Sequence, residues 1–240
     1  MRLEDVSDSF DKKNYANCIA KLKKVLSIDP YSGIAYDFIG TCYSEDYSIP
    51  HDVRVKGILD NSKLSISLEE EAPAHYIGLS QYYNEINDLD QSIETLKKGM
   101  NYCLNEKDKI RFLQPLANLY LSKKDYTTAE IYINQAIQIS NDDGGSWYLL
   151  GKIQHSQNDL KSAMVSYRKA ISFSKHLSQW AKANLFANYA ILNNAFQFCD
   201  TAKCYIIKAL DLLPEDKSYQ EIYSNIKKCQ PSKQLNQAIN

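Results

Sequence analysis

The sequence predicts an all-α fold, a solenoid of about six antiparallel helix pairs that ends in a C-terminal capping helix. First, helix breakers are few, with 8 Gly and 6 Pro among 240 residues, which favours helices over a β-rich fold. Second, small and large apolar residues recur at spacings of three, four and seven positions, the periodicity of one helix face. Third, the pattern returns at intervals that accommodate two short helices and two turns.

The first helix of each predicted pair carries an aromatic residue or Leu, then an aliphatic residue, an adjacent small residue and finally a Tyr. The complete copies are Tyr36–Ile39–Gly40–Tyr43, Tyr76–Leu79–Ser80–Tyr83 and Leu113–Leu116–Ala117–Tyr120. The partial copies, in which Gln154 or Asn193 stands in the Tyr position, begin with Trp147–Leu150–Gly151 and Phe186–Tyr189–Ala190. We therefore expect a first helix in each of these segments.

The second helix of each pair carries a small residue, a large apolar residue four positions later and another small residue three positions after that. The copies are Ser92–Leu96–Gly99, Ala129–Ile133–Ala136, Ala163–Tyr167–Ala170 and Ala202–Ile206–Ala209, with leading residues 37, 34 and 39 positions apart. A small residue lets the facing helix approach, and the large residue one turn away fills the adjoining gap. This arrangement predicts helix pairs that share a stacked core.

The first helix pair, at the N-terminus, matches the repeat pattern less closely. Leu3, Val6 and Phe10 form an apolar stripe that predicts its first helix, and Cys18–Leu22–Val25 is a degraded copy of the second pattern. Cys18 stands where other copies have Ala or Ser, so we expect it to be a small packing residue.

Three further segments depart from the regular pattern. Pro50 and the poor gap filler Asn61 predict an irregular second repeat over about 44–68, with an enlarged turn near 45–52 and a helix from about 53. Pro115 predicts a helix that is kinked or begins late. Apolar residues at helical spacing predict a capping helix over about 215–229: Tyr219, Ile222, Tyr223 and Ile226. We expect one domain over 1–229 and a flexible tail over 230–240.

These linked patterns resemble tetratricopeptide repeats, over roughly residues 1–214. The most specific copy combines Trp147, Leu150 and Gly151 with Ala163 and Tyr167. The resemblance implies a right-handed superhelix whose first helices line a concave groove, and it implies binding of a protein or peptide partner. Family members that clamp a terminal carboxylate need a cation or amide where this chain has Gly78, Pro115 and Leu149, so we do not expect recognition of an acidic chaperone-type tail.

Projecting the repeat onto the groove gives a set of candidate peptide-binding residues that is rich in amides and poor in charge. They are Gln81, Asn84, Gln114, Asn118, Lys152, His155, Asn184 and Asn188. A side-chain amide donates and accepts hydrogen bonds together, which suits the backbone of an extended peptide. The alternative, that these amides only solvate an exposed face, stays open at this point.

The 18 Tyr residues suggest aromatic stacking on bases, but several of them occupy core positions of the repeat: Tyr36, Tyr43, Tyr76, Tyr83, Tyr120 and Tyr167. Because a buried Tyr needs a hydrogen-bond partner, we expect their hydroxyls near the solvent end of the core. With 28 Lys+Arg against 29 Asp+Glu the formal net charge is −1, which gives no basic face for nucleic acid. No apolar run is long enough to enter a membrane.

No residue pattern indicates catalysis. The four His and six Cys lack metal-ligand spacing, no activated nucleophile is evident, and we expect no enzyme, metal or cofactor. The cysteines show no compact disulfide framework, and the N-terminus lacks the pattern of a secretory signal. A reducing cytoplasm is therefore the expected location, and a processed secreted fragment stays open as the alternative.

The sequence favours a protein-interaction scaffold that docks a partner segment in the groove. Two alternatives remain: a chaperone or assembly factor of a secretion or pilus system, and an enzyme whose site is not recognisable from the sequence. Neither the partner nor the oligomeric state follows from the residues.

Overall fold

The computed structural model describes residues 3–229, which form thirteen α-helices and one 3-10 turn, Ser174–His176, without a strand among them. The helices are α1 Leu3–Asp11, α2 Tyr15–Ile28, α3 Gly33–Glu45, α4 His51–Leu68, α5 Pro73–Glu85, α6 Leu89–Met100, α7 Glu106–Ser122, α8 Tyr126–Ile139, α9 Gly144–Ser156, α10 Leu160–Ser172, α11 Gln179–Ala195, α12 Cys199–Leu212 and α13 Lys217–Ile226. The predicted all-α class is confirmed. The predicted tail over 230–240 lies outside the described residues.

The chain divides into two compact units, residues 1–119 and 120–240. In the described part of unit 1, α1 to α5 each pack on the next helix in the chain. In unit 2, α9 packs on α10, α11 on α12, and α13 on both α11 and α12. The idea of one domain over 1–229 stays a prediction.

The turn inside a helix pair has the same construction at several places. The residue just before the N-cap of the second helix lies in the left-handed backbone region. Its φ is near +60° at Lys13, Asn87, Lys124, Asn158 and Gln197. In four of these turns an Asn or Asp follows and its side chain accepts the backbone N–H three residues on: Asn14, Asp88, Asp125 and Asp159. The cap satisfies a backbone donor that the helix leaves free, so it fixes where the second helix begins.

The small positions of the repeat are where neighbouring helices approach most closely. Ala163 and Ala170 are fully buried on α10, and the fully buried ring of Tyr167 lies directly over Gly151 of α9. A Cβ atom at Gly151 would overlap two carbons of that ring. The predicted pairing of a small residue with a large one therefore holds as direct contact.

The segment over 44–68 forms a turn at 46–50 and then the longest helix described, α4. Asn61 does not fill the gap; its amide donates to the carbonyl of Gly57 at 2.8 Å. The ring of Tyr43 instead lies against Gly57, where a side chain would overlap it. Arg54 is buried and donates to Glu85 Oε2 at 2.8 Å and to the carbonyl of Ser44 at 3.2 Å. These contacts hold α4 in place without the usual apolar residue.

α7 runs from Glu106 to Ser122 with Pro115 inside it. The helix begins nine residues before the proline, which excludes the late start, and the other alternative, a kink at Pro115, stays a prediction. Proline lacks a backbone N–H and removes one hydrogen bond inside a helix. The surrounding residues Phe112, Leu113 and Leu116 are buried, so packing holds the helix through this position.

Cys199, the first residue of α12, forms a disulfide with Cys229, which follows α13. The cysteines show no compact disulfide framework in the sequence, and this bond between residues 30 positions apart was not predicted. The bond ties the C-terminal helix to the helix on which it packs.

His75 of unit 1 is buried and lies between two partly exposed carboxylates. Its Nε2 atom is 3.4 Å from Glu69 Oε2, and its Nδ1 atom is 3.8 Å from Asp37 Oδ1. The other oxygen of Glu69 accepts the backbone N–H of Gly33 at 3.0 Å, so this carboxylate connects the start of α3 with α5. Burial opposes the charged ring, but the two carboxylates outweigh that effect and raise the pKa of His75.

We expect Gly151→Ala to destabilise the protein by roughly 1–3 kcal/mol, because the new methyl group overpacks against the buried Tyr167 ring. The matched control is Gly40→Ala, at the same repeat position, where a Cβ atom has its nearest neighbour at 3.6 Å. Its higher helix propensity should leave stability unchanged or raise it by about 0.5–1 kcal/mol. Urea denaturation midpoints compare the two variants; equal effects would contradict the packing.

The raised pKa of His75 predicts a pH dependence of stability. The charged ring stabilises the folded state fully below its ordinary pKa of about 6.5, and this contribution is lost as the pH rises through the higher folded pKa. The urea midpoint of the wild type should therefore fall more steeply above about pH 6.5 than that of His75→Gln. His176→Gln, at an exposed position, is the control and should keep the wild-type slope. If the urea midpoint depends on pH identically in all three proteins, folding does not raise the pKa of His75.

Removing the disulfide should destabilise the C-terminal helices by roughly 2–4 kcal/mol, the usual effect of a cross-link that closes a loop of this length. The double variant Cys199→Ser/Cys229→Ser and the wild type in reducing agent should unfold at the same, lower denaturant concentration. Reducing agent should leave the double variant unaffected. A wild type that unfolds identically with and without reductant would count against the bond.

Candidate peptide-binding surfaces

The first-helix surface of unit 1 contains a pocket of about 260 Å³ between α5, α6 and α7. Three of the four residues predicted here line it: Gln81 and Asn84 on α5, and Asn118 on α7. All three are exposed. Gln114 lies one turn before Asn118 on the same helix and is half-buried, but it is not among the lining residues. The structure thus brings most of the predicted amides of this unit together.

The floor of the unit 1 pocket comes from the small and apolar positions of the repeat. Ser80 of α5 and Ser92 of α6 are buried, their hydroxyls are 3.0 Å apart, and Ser92 also donates to the carbonyl of Ser80 at 3.0 Å. Ile77, Leu96 and Leu119 add apolar surface. Because the serines satisfy each other, the polar side chains at the mouth of the pocket are the amides. An apolar floor with an amide rim suits one side of an extended peptide.

The first-helix surface of unit 2 combines residues of α9 and α11. Asn188 Nδ2 donates to the hydroxyl oxygen of Tyr148 at 3.1 Å and to the carbonyl of Asn184 at 2.9 Å. Asn184 in turn donates to the carbonyl of Trp180 at 3.0 Å. Lys152 Nζ lies 6.0 Å from the centre of the Tyr148 ring. Lys152 and Asn188 therefore belong to one cluster, which is linked through Tyr148.

Burial sets the protonation of these groups. It lowers the pKa of Lys152 and of His155, and it raises the pKa of Tyr148 to about 12. His155 is thus neutral at pH 7, and Tyr148 keeps its proton. His155 packs edge-on against Tyr167, with 6.5 Å between the ring centres. It therefore offers an aromatic surface and a neutral imidazole to a ligand.

The structure differs from the sequence-based expectation at two tyrosines, Tyr167 and Tyr148. Tyr167 was expected to have its hydroxyl near solvent, but the residue is fully buried and its hydroxyl has no hydrogen-bond partner among residues 3–229. Burial raises its pKa as well. Tyr148 was not selected, although it lies one helical turn before Lys152 and so shares a helix face with it.

Within residues 3–229, no cluster of three or more His, Cys, Asp or Glu side chains is placed to hold a metal ion. The described helices include none that combines the length and apolar character needed to cross a membrane.

The sequence matches the tetratricopeptide repeat family over residues 110–143 and 144–176. An alignment of 140 positions, which covers 52% of this chain, is 26% identical to the general transcriptional corepressor trfA of Dictyostelium discoideum. That stretch corresponds to 10% of the corepressor, so this chain spans only a small part of its relative.

Similar solved structures cover nearly all of the chain. Pseudomonas aeruginosa pilF has a TM-score of 0.70 at 16% identity, with 92% of this chain and 95% of that chain covered. PilW, described as a type IV pilus biogenesis factor, has a TM-score of 0.74 at 12% identity, with coverage of 91% and 95%. A chain of the APC/C hetero-tetramer Cut9-Hcn1 has 0.74 at 13% identity, with coverage of 92% and 41%. At such identities the likeness shows the fold, and it confirms the helical solenoid.

Proposed function

We propose that this chain, which matches the tetratricopeptide repeat family over residues 110–176, acts as a scaffold that holds an extended segment of a partner protein against its first-helix surfaces. The observation that carries the proposal is the unit 1 pocket, where Gln81, Asn84 and Asn118 surround an apolar floor. Backbone groups of an extended segment need both donors and acceptors, and an amide side chain supplies both. We propose no catalytic activity for this chain.

A second candidate function is an assembly factor of a pilus. It is favoured by the likeness to pilF and PilW, each of which is matched over 95% of its own length. The identities of 16% and 12% carry the fold alone, so this candidate rests on analogy. Identification of the bound partner distinguishes it from a scaffold of another pathway.

The predicted cytoplasmic location stays a prediction. The Cys199–Cys229 disulfide argues against it, because disulfides persist mainly in oxidising compartments. Alkylation of thiols in intact cells, followed by mass spectrometry of these two cysteines, distinguishes the reducing cytoplasm from an oxidising compartment. Free thiols at both positions would support the cytoplasm.

The groove proposal predicts that Gln81→Ala/Asn84→Ala/Asn118→Ala folds normally but loses its partner. Substitutions at exposed positions usually change stability by less than about 0.5 kcal/mol. Three hydrogen bonds to neutral groups, at about 1 kcal/mol each, correspond to a roughly hundredfold loss of affinity if they add. The partner is first identified by co-purification from the native host, and its affinity is then measured by calorimetry.

The control for this experiment is Lys23→Ala/Lys24→Ala on the exposed part of α2, which should bind the partner as the wild type does. A partner that tolerates the triple substitution but is lost in the control would place the binding surface on the second helices and refute the proposal.

A further inference from the structure

Two buried cysteines meet between α2 and α3. The Sγ atoms of Cys18 and Cys42 lie 2.7 Å apart, and both side chains are fully buried. Both are thiols in the structure. Since bonded sulfur atoms lie about 2.05 Å apart, these two need to approach each other by about 0.7 Å to form a disulfide. A small movement therefore suffices to join the two helices.

Both cysteines depart from the repeat pattern, and the two departures match. At the position of Cys18 the regular second helices have Ala or Ser, which are smaller than Cys. At the position of Cys42, three residues after Ile39, the later first helices have larger residues. These are Tyr82, Leu119, Ile153 and Leu192. One side chain at this contact is larger than usual and the facing one is smaller, so Cys18 and Cys42 fill the close-packed interface as a pair.

Packing beside this pair is incomplete. Cys18 and Cys42 belong to one apolar cluster with Val6 and Leu22. Val6 and Leu22 also line an apolar pocket of about 450 Å³ between α1, α2 and α3. Unfilled space forfeits dispersion contacts, so packing alone holds α2 and α3 together less firmly than a filled core does. A covalent bond between the two helices offsets this loss.

We propose that Cys18 and Cys42 are a second disulfide site of this chain, at which oxidation links α2 to α3. The thiolate of one cysteine attacks a disulfide oxidant, such as glutathione disulfide, and releases one thiol. The second cysteine then attacks the mixed disulfide and releases the other thiol. The oxidant takes up the two electrons, and the protons of the two cysteines end on the released thiols.

Burial determines when this bond forms. It raises the pKa of Cys42, with a further contribution from the neighbouring Cys18 thiol. Because the thiolate is the reacting form and both sulfurs are shielded from solvent, the folded, reduced protein reacts slowly at this pair. The bond therefore forms during folding, before α2 closes on α3, and the folded protein then protects it from reducing agents.

The two disulfide sites differ in their access to reagents. An environment that maintains the Cys199–Cys229 disulfide also supplies an oxidant for Cys18 and Cys42. Cys18 and Cys42 are fully buried, whereas Cys229 is half-buried. In the folded, oxidised protein a reducing agent should therefore open the Cys199–Cys229 bond first.

Mass spectrometry of the full chain tests the proposal. The reduced, denatured wild type is refolded in a mixture of glutathione and glutathione disulfide, its remaining thiols are alkylated under denaturing conditions, and the linked peptides are identified. We expect the Cys18–Cys42 bond beside that of Cys199–Cys229, with the other two cysteines alkylated. Alkylation of Cys18 and Cys42, or pairing of either with another cysteine, would overturn the proposal, whatever the state of Cys199 and Cys229.

Single substitutions check the pairing. Cys18→Ala introduces the residue that α8, α10 and α12 have at this position, so the variant should fold, and its Cys42 should be alkylated completely. Cys103→Ala, at a half-buried position on another part of unit 1, is the control and should keep the Cys18–Cys42 bond. A Cys42 that is still oxidised in Cys18→Ala would show that its partner lies elsewhere and would overturn the pairing.

The variant Cys199→Ser/Cys229→Ser isolates the effect of the proposed bond on the fold. With Cys18 and Cys42 as thiols, as in the structure, this variant should not respond to reducing agent. After refolding with glutathione disulfide it should unfold at a higher urea concentration, and dithiothreitol should remove the difference.

Amide hydrogen exchange in the same variant locates the effect. Oxidation should slow exchange in α2 by roughly a hundredfold, because the bond suppresses openings that separate α2 from α3. Adding Cys18→Ala to the variant should abolish the effect of oxidation. Equal exchange in the oxidised and reduced forms, or the same slowing with Cys18→Ala, would overturn the link between α2 and α3.

Discussion

Close approach between helices at positions without a bulky side chain is the constraint on which the structure depends. At Gly99 a Cβ atom would overlap Tyr76 and lie 2.8 Å from the ring of Phe112, and at Gly151 it would overlap Tyr167. These contacts fix where the aromatic rings lie and how near the paired helices come. The pocket of unit 1 depends on the same constraint, because Ser80 and Ser92 allow α5 and α6 to meet beneath the amide rim.

Much of the fold follows from the sequence because this constraint is local. A small residue four positions from a large one identifies a packed helix in any single repeat, which is why the regular pairs could be predicted. Prediction failed at the disulfide, because Cys199 meets Cys229 only after α12 and α13 have packed. It also missed the ring of Tyr43 against Gly57, because Asn61 interrupts the alternation of small and large residues on α4.

The candidate surfaces show the same division. Gln81, Asn84 and Asn118 could be assigned from the repeat because each occupies a fixed position on its helix face. In unit 2 the contact between Asn188 and Tyr148 could not be assigned in this way, since the two residues are 40 positions apart and the bond depends on side-chain rotamers. The buried hydroxyl of Tyr167 was likewise unpredictable, because a general rule on satisfied polar groups does not say which residue is the exception.

The turns inside the pairs have a consequence for how such a chain can change over time. A left-handed residue followed by a capping side chain sets the course of the backbone within a few residues, as at Lys124–Asp125 and Asn158–Asp159. The residues that define the turn of a helix pair, which we call its joint, therefore lie within that pair and not in its neighbours. Gene segments that encode whole pairs can be duplicated or deleted with the joint intact, whereas a single residue inserted in the joint rotates one helix face away from its partner.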